Sequence, residues 1–237
     1  MSEQRYLGWH WLPQNKKTRF DDREVVPGVP MTVRGQPALG LHGLHATRTF
    51  AESICNAVGP VCCRVLLEGE IDRDHFRIAA STRTCLWMVD TRNLILQWYC
   101  QRAVEVAAYL EHPGLFKWAN KVEHTFLKGN LEGNRKSLFD EYITTVPGGN
   151  HYPLVAGVLR DLAHLLGGYC IPYLRNIPSL APKLDTLLNR PEGFCLNHFY
   201  RLVMVMAKDT TGVWVPDPNP VEPGIFKRVF DPWVRSV

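Results

Sequence analysis

Val61-Cys62-Cys63-Arg64-Val65-Leu66-Leu67 is the stretch on which the fold turns. It is short, rich in β-branched and apolar residues, and apolar at both parities. Such a run suits a strand with both faces covered, central in its sheet. Gly59-Pro60 closes whatever precedes it, and Gly69 is expected to break it. Phe76 to Ala80 is the expected partner strand. Upstream, Trp9, Trp11 and Leu12 suit a short strand, as does Met31 to Arg34. Between these, Thr49-Phe50-Ala51-Glu52 has capping-box spacing: the Thr hydroxyl takes the amide three residues on, and Glu reaches back.

Beyond residue 90 the periodicity changes. Asp90 or Thr91 is placed to cap a long helix with Ile95, Tyr99, Ala103, Val106, Ala107 and Leu110 on one stripe. Gln97, Gln101, Arg102 and Glu105 then face elsewhere, and Pro113-Gly114 stops the helix. Trp118, Val122 and Phe126 mark a second helix, and Leu138, Phe139, Tyr142 and Ile143 a third. Pro153 opens a fourth, which Gly167-Gly168 ends, and Ser179 to Asn189 suits another. Periodicity does not decide between helix and strand over 196–207. Five prolines from Pro216 to Pro232 make the tail extended. The expected class is α+β: an N-terminal antiparallel or split sheet with short helices, then a mostly helical part and a Pro-rich tail. The expected division is 1–112, 113–211 and 212–237.

Composition sets the outer bounds. The chain has 237 residues, 46% of them hydrophobic and 21% charged, which excludes a disordered chain. No apolar run approaches the roughly 18–20 residues of a membrane span. The first twenty residues are polar, so no secretory signal and no membrane partner are expected. Seven cysteines, an odd number with no C-x-x-C pair, argue for reduced, mostly buried thiols in an intracellular setting. A net charge of +4 is carried by scattered bases, not by the single basic cluster of a dedicated nucleic-acid binder.

No P-loop, G-x-G-x-x-G, H-E-x-x-H or G-x-S-x-G motif occurs. The densest constellation is Gly40-Leu41-His42-Gly43-Leu44-His45-Ala46-Thr47-Arg48. One reading is a glycine-rich turn with satisfied histidines. The other is an anion or nucleotide site at the following helix N-terminus, built from Gly43, His45 and Arg48. His42 and His45 lack a third ligand for a metal, so no metal is expected. Arg83, in Arg83-Thr84-Cys85-Leu86-Trp87-Met88-Val89-Asp90, either leads into a buried segment or joins Arg48 in the same cleft. His10, between Trp9 and Trp11, is the remaining candidate for chemistry beside His45.

Several of these segments together resemble an uncharacterised family encoded by tailed bacteriophages and prophages. They are Trp9-His10, Arg23-x-x-Val26-x-Gly28, Gly43-Leu44-His45-Ala46, Gly59-Pro60-Val61-Cys62-Cys63-Arg64-Val65, Gly69-Glu70-Ile71 and Arg83-x-x-Leu86-Trp87-Met88-x-Asp90. The resemblance covers about residues 6 to 100. Thr47 stands where the family usually has Ser, and Gly40 where Cys is common. It implies a phage origin, with action in the cytoplasm of an infected host or on the virion. A second resemblance, over fewer positions, is to ADP-ribosyltransferase folds. Gly43-Leu44-His45-Ala46, the helix near 49–58 and Cys63-Arg64-Val65-Leu66-Leu67-Glu68-Gly69 follow that order. It implies that His10 holds the ribose of NAD and His45 stacks near the nicotinamide. The motif is one residue short, its tyrosine is absent, and Glu68, Glu70 and Asp90 are only nominal choices for the catalytic carboxylate.

Two functions therefore stand. The first is a phage-encoded accessory protein, without cofactor, that binds a host or virion protein, with nucleic acid as a further partner class. The second is a nucleotide-dependent transferase using NAD.

Overall fold

The computed structural model describes residues 5–145, 155–168 and 196–211. In chain order the strands are β1 (Tyr6–Leu12), β2 (Pro30–Thr32), β3 (Leu44–Thr47), β4 (Val61–Arg73) and β5 (Arg77–Asp90). The helices are α1 (Phe50–Cys55), α2 (Arg92–Tyr109), α3 (Pro113–Leu127), α4 (Leu131–Thr145), α5 (Val155–Leu166) and α6 (Leu196–Thr211). The class is α+β, with one antiparallel sheet of five strands among the described residues.

The chain divides into two units. One contains the sheet, α1 and α6; the other contains α2 to α5. The division falls between Thr91 and Arg92, about twenty residues before the expected boundary at 112. The reason is packing: α2 lays its apolar stripe on α3 and α5, so it belongs with the helices that follow it. Residues 196–207, ambiguous by pattern, are helical within α6, which returns to the sheet unit and contacts β5.

In the sheet unit, β4 pairs with β1 along one edge and with β5 along the other. β5 continues the sheet to β3 and β2, and β3 meets β1 through Trp9 opposite Thr47. The strands β1, β3, β5 and β4 thus close into a small antiparallel barrel, which hides most strand edges. Its interior holds Leu12, Leu44, Ala46, Val61, Cys63, Val65, Leu67, Ile78 and Cys85. Val61 to Leu67 is central, as its composition demands.

Gly69 does not end β4. The strand runs on to Arg73 through a bulge between Glu68 and Ile71, with Gly69 at φ +81°. A side chain there would collide with the Ser81 hydroxyl, so the glycine lets the strand bend rather than stop. Similarly, Arg83 to Asp90 is a strand, continuous with the expected partner of β4. A second bulge sits in it: Arg64 faces Trp87, but Val65 faces Cys85, leaving Leu86 as the extra residue.

The outer face of the barrel is aromatic. Trp9 packs edge-on against Phe50 at 5.0 Å and Trp87 at 5.6 Å. The buried Arg64 guanidinium lies 4.6 Å over the Trp9 ring. Phe199 and Tyr200 of α6 cover Phe50. The expected capping box holds α1: the Thr49 hydroxyl accepts from the Glu52 amide, and the Glu52 carboxylate from the Thr49 amide. Trp11 donates to the Ser53 hydroxyl at 2.8 Å and fixes α1 on β1.

In the helical unit, Pro113 and Gly114 open α3 instead of merely stopping α2; the His112 ring caps it by accepting from the Leu115 amide at 3.2 Å. Arg102, expected on the outer side of α2, is buried and paired with Glu105 at 2.8 Å. The Thr91 hydroxyl donates to the Pro60 carbonyl at 2.8 Å. Trp118 donates to the Leu138 carbonyl at 2.8 Å and joins α3 to α4. Pro153, the 179–189 segment and the tail from 212 lie outside the described residues.

Candidate functional site

The strand pairing assigns each candidate to a face. His10 is paired with Cys63, a residue of the barrel interior, so it points inward with Leu12. On β3, Leu44 and Ala46 point inward, which sends His45 and Thr47 to the opposite face. The two histidines therefore lie on opposite faces of the sheet.

Arg83 is opposite both Met31 and Leu67. It is only 4% exposed, and its guanidinium donates to the His45 carbonyl at 2.7 Å. It bridges β5 to β3 through the backbone, in the geometry of a structural tie. Burial lowers its pKa, as desolvation disfavours a cation.

His10 keeps part of its surface open, yet desolvation pushes its pKa well below the ordinary value of 6.5, helped by the Arg83 charge and by His45. Its ring is neutral near pH 7. The pKa of His45 is lowered by desolvation first and by Arg83 and Arg77, with backbone hydrogen bonds opposing. Its Nε2 accepts from the Gly40 amide at 3.1 Å, the satisfied histidine of a glycine-rich turn. Among the described residues, the charges acting on the two histidines are those of Arg83, Arg77 and, on His10, His45, whereas an oxocarbenium-like transition state calls for a carboxylate. Of the nominal acids, Glu68 pairs with Arg5 at 2.8 Å, while Glu70 lines the groove described below.

Arg48 does not join Arg83. Its amide donates to the Phe76 carbonyl at 2.9 Å and its guanidinium to the His75 carbonyl at 3.5 Å, tying β3 to the β4–β5 turn. The start of α1 offers no anion cradle either, since the capping box already occupies it. Gly43 has φ +112°, and a Cβ there would sit 3.2 Å from Pro37 and 3.4 Å from Ala79. It serves the close packing of the turn against Pro37 and Ala79. The structure thus brings His10, His45 and Arg83 within electrostatic reach of one another and leaves Arg48 apart.

Two features were not anticipated from the sequence. An open groove of about 1230 Å³ is lined by Gly35, Pro37, Gly69, Glu70, Asp72 and Ser81, among others. Asp72 braces one wall by accepting from the Leu39 amide at 2.8 Å. The second is that two thiols whose burial was expected, Cys63 and Cys85, share the inner face of the barrel. Alternating hydropathy could not reveal either, because both depend on where the bulges fall.

Among the described residues, no group of three or more His, Cys, Asp or Glu side chains is arranged to hold a metal ion. Nor is any described helix long and apolar enough to cross a membrane. Comparison with family models, with curated proteins and with solved structures finds no match to this chain.

Proposed function

We propose that the chain is a phage-encoded accessory protein that acts by binding a partner protein of the host or the virion. The observation that carries this reading is a set of large apolar side chains on loops of the sheet unit. Phe20 is 93% exposed, Leu41 88% and Phe76 52%. Each sits in a short excursion between paired segments: Lys17 with Glu24, Ala38 with His42, and β4 with β5. One such residue would need no explanation. Three in one small unit, on loops pinned by backbone pairing, are what a protein interface uses as anchors. The polar candidates add support from the other side. Arg48, Arg83 and His45 already spend hydrogen bonds on the fold, and His10 faces inward.

The test compares wild type with the triple variant Phe20→Ser, Leu41→Ser, Phe76→Ser. Cross-linking in phage-infected cells is expected to trap one defined partner with wild type, and to lose it with the variant at an unchanged melting temperature. Calorimetric titration with NAD, nucleoside phosphates and short oligonucleotides runs in parallel. NAD binding that disappears in His45→Ala sinks the binding reading in favour of a transferase. Oligonucleotide binding in place of a protein partner overturns the partner class.

A further inference from the structure

The chain between β2 and β3 folds back over the β4–β5 hairpin. The Val33 amide donates to the Ser81 carbonyl on β5 at 2.9 Å, and the Asp72 carboxylate on β4 accepts from the Leu39 amide at 2.8 Å. The open groove is lined by Pro37 and Ala38 of this crossing and by Glu70, Ile71 and Asp72 of β4. The Glu70 amide donates to the Ser81 hydroxyl at 3.0 Å, so hydrogen bonds hold the lining from both strands.

Its two carboxylates lack cations. In the sheet unit Glu68 pairs with Arg5, Asp21 with Arg23, Asp22 with Lys17 and Asp74 with Arg77. Glu70 and Asp72 have no ion pair among the described residues, and Glu70 is exposed. No described lysine or arginine lines the groove. Arg73 adjoins it in sequence, but its guanidinium lies over the Tyr6 ring at 4.9 Å. In a chain of net charge +4, these carboxylates make one locally negative site.

Size and surroundings select the occupant. The volume of about 1230 Å³ exceeds the roughly 300–1000 Å³ of small-molecule sites. Val33 and Ile71, packed on the barrel core, add apolar surface beside the acids. The Ala38–His42 pairing at the edge of the groove also carries Leu41, 88% exposed. The groove is thus continuous with one of the three loop anchors.

We propose that the groove receives an extended segment of the partner protein, with an arginine or lysine held by Glu70 and Asp72 and flanking apolar residues against Val33, Pro37 and Ile71. An arginine fork matches a carboxylate with two parallel hydrogen bonds. This inference rests on the binding reading, whose anchor Leu41 it extends into a specificity site.

The experiment pans a displayed library of short random peptides on the full chain. Selected sequences should be enriched in arginine or lysine beside apolar residues. A selected peptide, resynthesised and titrated by calorimetry, should bind about fivefold more weakly to the double variant Glu70→Gln, Asp72→Asn, the scale of two exposed ion pairs. Asn at 72 keeps a carbonyl for the Leu39 amide, so the melting temperature should not move. Asp22→Asn, away from the groove, should leave binding unchanged. Rising salt should weaken binding to the wild type, a readout that needs no substitution. Selection of peptides without basic residues, or binding that ignores both salt and the double variant, overturns the proposal. Spermidine that binds as tightly and displaces the peptide overturns it in favour of a small polycation. Cross-linking in infected cells separates this from the binding reading. A partner lost with Phe20→Ser, Leu41→Ser, Phe76→Ser but retained with Glu70→Gln, Asp72→Asn sinks the groove alone. No partner trapped by wild type, with basic peptides still selected, sinks the binding reading alone.

Discussion

Arg83 on β5 donates its guanidinium to the backbone carbonyl of His45 on β3 at 2.7 Å, inside a site that leaves the arginine only 4% exposed. The relationship joins two residues 38 apart in sequence and makes the arginine a tie between strands. A charge buried this deeply is costly to strip of its partner.

Arg83→Ala is expected to lower stability by about 1.5–3 kcal/mol, the range for losing a charge-assisted hydrogen bond. Arg48→Ala, whose guanidinium contact to His75 is long at 3.5 Å and exposed, should stay within about 0.5 kcal/mol. Urea unfolding of both variants decides the ranking. Equal effects would show that Arg83 is not the tie described above.

The barrel centre gives a harsher case. Val65 is 1% exposed between β1 and β5. Val65→Asp should abolish folding, since an unpaired buried charge costs several kcal/mol and a domain holds only about 5–15. A cooperative melt of this variant by circular dichroism would contradict the placement of β4.

This part of the molecule was legible in the sequence. Val61 to Leu67 states its burial in its composition, and Thr49 to Glu52 states its cap in its spacing. The continuation of β5 was not legible. Leu86-Trp87-Met88 puts three large apolar residues in a row, which conceals a period of two; the bulge at Leu86 is what sends Trp87 outward and Cys85 inward. Pattern records which residues are apolar but not how two strands slide against each other. For the same reason the sequence left open whether Arg83 leads into a buried segment or joins Arg48; only the paired strands reveal that Arg48 joins the β4–β5 turn and Arg83 spans to β3.

Protonation offers a third test. The pKa of His10 is depressed in the folded state, so the unfolded chain takes up the proton first as pH falls. Stability from this group is therefore complete above the ordinary value of 6.5 and is lost as pH drops from there toward the folded pKa. The slope is at most about 1.4 kcal/mol per pH unit for one group. Urea midpoints at pH 7.5 and 5.5 should converge in His10→Gln relative to wild type. An unchanged difference would show that His10 is not the group responsible.

Glycine tests the bend in β4. Gly69 and Gly28 both have positive φ, +81° and +80°. A Cβ at Gly28 meets open space, whereas at Gly69 it strikes Ser81. Gly28→Ala should cost about 1 kcal/mol from backbone strain alone, and Gly69→Ala distinctly more. Thermal melts of the two variants give the comparison.

The closure of the barrel through Trp9 and Thr47 bears on the time course of folding. β4 and β5 are joined by a three-residue turn and pair along most of their length, so their hairpin needs little chain to be looped out. Where β1 meets β3, by contrast, Trp9 opposite Thr47 is the one register pair among the described residues, across a span of nearly forty positions. The seam is therefore the last to zip and the first to part, and in amide hydrogen exchange β3 should lose its protection well before the Val61–Leu67 segment does. A ring that opens at one joint exposes its contents without dissolving its wall: brief parting of Trp9 from Thr47 gives water a recurrent path to the inner residues while the long hairpin stays intact.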